Sequence, residues 1–117
     1  MRVLSLNNML NDLEILEKRM QEPKIDFWIR QQEKEDRAKF RKCQSDLSIQ
    51  IGKLRNARIE PLLPQLMSGE DDLKKGIDKL RREIAELDKI AEAIQAISNV
   101  INTLTSILAP FVPSPSK

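Results

Sequence analysis

The stretch LKKGIDKLRREIAELDKIAEAIQAISNVINTLTSIL, residues 73–108, decides the fold. Leu73, Ile77, Leu80, Ile84, Leu87, Ala91 and Ile94 recur by four and three, the seam spacing of a helix packed on a neighbour. Ser68-Gly69-Glu70-Asp71 fits a capping box, with acidic residues at the positive end of the helix dipole. Asp71 with Lys75, and Asp78 with Arg82, are i,i+4 pairs that support the helix slightly. Pro110 stops the pattern. The spacing therefore predicts a helix over 69–109, about forty residues and roughly 60 Å long.

Upstream, Pro61 and Pro64 stand among Leu62, Leu63, Leu66 and Met67, which reads as an apolar corner. Before it, Phe40, Cys43, Leu47, Ile51 and Leu54 form another packed stripe, with Arg58 able to continue it through its aliphatic stem. Asp26 is the expected N-cap of this second helix, over about 26–59, with Gly52 inside it as a candidate close approach. Its stretch Arg30 to Lys39 holds only Ala38 as an apolar residue, which leaves continuity there open. Leu6, Met9, Leu10, Leu13, Leu16 and Met20 share one face of a first helix, about 6–21, too short to be stable alone. The expected fold is all-α: a long antiparallel, coiled-coil-like helical hairpin about the Pro61–Ser68 corner, with a short N-terminal helix packed on it. Residues 1–109 make one helical domain, and 110–117 a Pro/Ser-rich tail. The hairpin seam consists of Phe40, Leu47, Ile51 and Leu54 against Leu73, Ile77, Leu80, Ile84 and Leu87.

Composition agrees. The 117 residues are 32% charged and 40% hydrophobic, with three Gly and no Tyr, a balance that favours helix over sheet. There is no histidine, which removes His-based catalysis and His-ligated metal. Gly52, Gly69 and Gly76 are too scattered for a phosphate-cradling loop. The single cysteine, Cys43, allows neither an internal disulfide nor a multi-cysteine zinc site, and its place on the apolar stripe reads as packing. Glu83, Glu86 and Asp88 read as a solvated face. The expectation is a non-enzyme with no catalytic residues, metal or cofactor.

Net charge is +2, but its distribution is uneven. Arg37, Lys39, Arg41, Lys42, Lys53, Arg55 and Arg58 stand against one acidic residue, Asp46, within 37–58. Such a stripe suits an anionic partner or a lipid headgroup. It lacks interleaved aromatics, which ranks nucleic acid last among the partners. The plainer expectation is neutralisation by Glu83, Glu86, Asp88 and Glu92 across the hairpin.

Residues 93–116 carry no charge at all. Ile94, Ile97, Ile101, Leu104 and Leu108 form an apolar stripe there, widened by Val100 and Ile107. Opposite them lie Gln95, Ser98, Asn99, Asn102, Thr105 and Ser106. Small uncharged polar groups suit a place where water is scarce and hydrogen bonds are at hand. In the predicted hairpin this segment would lie against the charged stretch 30–37, a poor apolar partner. A cover from another copy of the chain, another helical protein or lipid follows. Over residues 94–112, nine apolar side chains at about −0.5 kcal/mol each nearly cancel against seven polar ones, so a lone membrane span is marginal.

The leading expectation is a non-enzymatic helical assembly protein that homo-oligomerises, or joins a helical partner, through its hairpin and through Ile94, Ile97, Ile101, Leu104 and Leu108. The alternative is membrane-active. A long polar helical stalk with an uncharged amphipathic end resembles the general pattern of α-helical pore-forming toxins, and that resemblance implies insertion of residues 93–112 after release from the bundle. The short apolar run after Arg2 is no secretory signal, so the expected location is cytoplasmic, or outside the cell by release without a cleavable signal peptide.

Overall fold

A computed structural model describes residues 2–57 and 63–109, with the side chains of 6–57 and 64–109. Arg58, the corner residues Pro61 and Leu62, and the tail 110–117 lie outside the described residues. The described residues are all-helical: α1 (Arg2–Arg19), α2 (Pro23–Arg30), α3 (Lys34–Asn56), α4 (Leu63–Glu86) and α5 (Ile90–Ile107).

α1 buries Leu6, Met9, Leu13, Leu16 and Met20, the face its spacing predicts. Lys18 and Arg19 in its last turn suit the negative end of the dipole. The second predicted helix divides in two. It starts earlier than Asp26, because Pro23 sits in the first turn of α2, where its missing N–H costs nothing. Asp26 lies inside that first turn and pairs with Arg30 at 2.9 Å, and also with Arg41. α2 buries only Ile25 and Ile29 and ends at Arg30, where the apolar positions run out. Its last carbonyls find other donors: Gln32 Nε2 reaches Trp28 O at 3.0 Å, and Arg37 Nη1 reaches Arg30 O at 3.3 Å. α3 then restarts after Glu33.

The third predicted helix also divides. It begins at Leu63 rather than Ser68, with Pro64 tolerated in the opening turn. It ends at Glu86, and Leu87 adopts φ 50°, the left-handed conformation usual for a helix-terminating Gly. Leu87 N donates to Glu83 O at 2.9 Å, and α5 opens at Ile90. α4 and α5 are therefore antiparallel neighbours. A β-carbon on Gly69 would lie 3.1 Å from Ile107 Cγ1, and one on Gly76 would lie 3.2 Å from Val100 Cγ2. The close approaches are at these two glycines, whereas a β-carbon at Gly52 would meet nothing within 4 Å.

α5 packs on both α4 and α3, and α1 covers the other side of α3 and α4. α3 thus lies along α5 and α1 rather than face to face with α4, which is where the arrangement departs from the predicted hairpin. One apolar cluster runs through all five helices. The molecule measures 43 × 35 × 19 Å, shorter than the single long helix predicted over 69–109.

Candidate interaction surface

The seam residues Phe40, Leu47, Ile51, Leu54, Leu73, Ile77, Leu80 and Ile84 are all buried, and Leu87 is half-buried. The α3 and α4 stripes meet mainly through the helices between them. Of the predicted contact residues, Ile97, Leu104 and Leu108 are buried, while Ile94 and Ile101 are half-buried against the core. The cover expected from a second chain comes instead from α3 and α4 of the same chain. The break at 87–89 turns α5 back along α4, and α5 also packs on α3, where Ser98 meets Cys43.

The basic residues of α3 do not form one stripe. At about 100° per residue, Arg37, Arg41 and Arg55 fall within about 40° of one another, while Lys39, Lys42 and Lys53 share a different face. Arg41 pairs with Asp26, Arg55 Nε pairs with Glu14 at 2.7 Å, and Lys42 with Asp46 at 3.1 Å. The neutralising acids therefore come from α1, α2 and α3 itself. Of the expected acids, Glu83 pairs with Lys79 at 3.6 Å and Glu92 with Lys89 at 4.0 Å. Glu83 lies on the buried face of α4 at 7% exposure, not in solvent as its charge suggested. Cys43 is half-buried, its Sγ 3.7 Å from Ser98 Oγ on α5, as suits a packing role.

What remains outside is the polar face of α5. Gln95 Nε2 donates to Asn99 Oδ1 at 3.0 Å. Thr103 Oγ1 donates to Asn99 O at 3.0 Å, and Thr105 Oγ1 to Ile101 O at 2.8 Å. Hydroxyls bonded back one turn have much of their hydrogen-bonding met before any partner arrives. Along the seam with α4, two shallow depressions run into each other. One is lined by Asp72, Lys75, Gly76, Lys79, Asn99, Asn102 and Thr103. The next adds Gln65, Ser68, Gly69, Ser106 and Ile107. Gly69 and Gly76 stand seven residues apart, a heptad spacing of small residues that could have pointed to this seam.

Some apolar side chains lie outside the core without a signal in the spacing: Phe27 is 64% exposed, and Ile15, Ile49 and Met67 are exposed as well. Trp28, beside Phe27, turns inward and meets Phe40 edge-on with ring centroids 6.3 Å apart. Among the described residues no group of His, Cys, Asp or Glu is placed to hold a metal ion.

No family model, curated protein or solved structure matches this chain. Function is therefore a matter of geometry alone.

Proposed function

We propose that this chain is a non-enzymatic helical assembly protein that associates with a second copy through the α4–α5 hairpin and the uncharged outer face of α5. The observation that carries the reading is that face. Charged side chains are depleted at interface centres because stripping water from them is costly. Gln95, Asn99, Asn102 and Ser106 are uncharged and reach the surface, and several of their neighbours are already bonded along the helix. Ser68 of α4 lines the same depression as Asn102 and Ser106. Coiled-coil-like packing within the hairpin fits the heptad spacing of 73–94.

Light scattering across a concentration series tests this, with Asn102→Arg plus Ser106→Glu at exposed positions as the comparison. The native chain should show a mass above one chain and the variant a smaller, equally helical species. A single-chain mass at every concentration would overturn the proposal.

A membrane-active role for 93–112 draws on the wide apolar face of α5, which includes Ile90, Ile97, Val100, Leu104 and Ile107. No helix among the described residues is long and apolar enough to cross a membrane, so this role takes the form of a helix lying in the interface. Flotation with anionic and neutral liposomes decides it: a chain left behind by both removes the membrane role. An anion-binding role for α3 is weakened by its arginines, because Arg41 and Arg55 are held in ion pairs and Arg37 by the carbonyl of Arg30.

A further inference from the structure

The 87–89 turn is unusual for a helix–helix reversal. From Ile77 to Ala109 the sequence contains neither Gly nor Pro, so nothing local demands that the helix end. The four-three spacing of Leu80, Ile84, Leu87, Ala91 and Ile94 runs straight through the turn. Leu87 holds φ 50°, a conformation that strains an L-residue with a β-carbon and that Gly adopts freely. Lys89, at the N-cap of α5, makes no side-chain capping bond. A turn with these properties keeps local backbone bonds, Leu87 N to Glu83 O at 2.9 Å among them, and depends for its strained residue on α5 being seated on α3 and α4.

From these observations we infer that α5 is an exchangeable element: residues 86–90 straighten into one helix, and α5 seats on α3 and α4 of a second copy. The exchange makes every α5 contact again in trans, including Val100 on Gly76 and Ile107 on Gly69. It releases the left-handed conformation at both hinges and completes the helical hydrogen bonds across 87–89. The continuous helix, roughly 65 Å long, is the one that the heptad spacing prescribes. Against this stands the entropy of association, so the exchanged form is favoured at high protein concentration. The inference rests on the reading of the chain as self-associating and specifies how the copies join.

Cys43 and Ser98 provide the test. Their side chains lie 3.7 Å apart between α3 and α5, and the chain has no other cysteine. Ser98→Cys, refolded at high concentration and oxidised with glutathione disulfide, should form a disulfide between Cys43 and the thiol introduced on α5. The dimer fraction is then isolated by gel filtration and run under denaturing, non-reducing conditions. A covalent dimer supports exchange, because the bond then joins two chains. A native dimer that dissociates into internally bonded monomers overturns exchange and leaves surface association standing. A monomer at every concentration overturns both. Leu87→Gly, checked for unchanged helicity, should lower the dimerisation constant roughly tenfold for each of the two hinges, and with it the dimer fraction at a given concentration, since the closed turn is then unstrained. An unchanged dimer fraction in that variant would overturn the role of the hinge.

Discussion

The three glycines separate what a residue is from where it sits. All three lie within helices, where Gly costs about 1 kcal/mol against Ala. Only Gly69 and Gly76 are required by their neighbours, because Ile107 and Val100 occupy the space a β-carbon would take. Gly52→Ala should therefore raise stability by about 0.5–1 kcal/mol, while Gly76→Ala should show no such gain. Urea unfolding midpoints of the two variants measure this directly, and equal gains at both sites would mean that α4 and α5 are less closely packed. From sequence, Gly52 and Gly76 look alike. What separates them is the helix that crosses one and not the other, and that crossing is invisible to local pattern.

At the scale of elements, helix type was legible throughout, and helix ends were not. The stripes read in α1, α3 and α4 are buried where their spacing puts them, from Leu6–Leu16 in α1 to Leu73–Ile84 in α4. Ile25 and Ile29 of α2, and Leu66 before the stripe of α4, are buried but belong to no stripe read from the sequence. Both overlong helices are broken, at Gln31–Glu33 and at Leu87–Lys89, and neither break holds a Gly or Pro. The first break had a faint signal in the apolar-poor stretch 30–39, and the second had none. The second break decides the environment of α5, and with it the effect of a charge there. Ile97 is fully buried between α5 and its neighbours in the chain. Ile97→Asp should therefore lose cooperative unfolding and much of its helical circular dichroism, as a carboxylate is forced into an apolar core. A well-folded Ile97→Asp monomer would mean instead that α5 stands free of α3 and α4.

For the whole molecule, the contest is between apolar burial and a surface laced with ion pairs. Glu14–Arg55 and Asp12–Arg81 join helices distant in sequence, but each partner is at least a third exposed. Pairs of this kind contribute about 0–1 kcal/mol and are screened by salt. Raising sodium chloride from low concentration to about 1 M should shift the melting temperature by only a few degrees. A loss of most of the stability would show that the ion pairs, and not the continuous apolar cluster, hold the helices together.

The sequence by itself determined that this chain is helical, which face is apolar in α1, α3 and α4, and that its last helix is nearly free of charge. These are consequences of residue type and spacing within one or two turns, where local sterics and burial act together. On α5 it marked an apolar and an uncharged polar side, but the buried face is rotated toward Ala93, Ala96 and Val100, with Ser98 half-buried against Cys43. Only the tertiary structure decided which helix covers which. α5 turns back at Leu87 because α3 and α4 together offer it an apolar site large enough to offset a strained turn. That balance is set between residues forty and more positions apart, such as Cys43 and Ser98, and no local spacing records it.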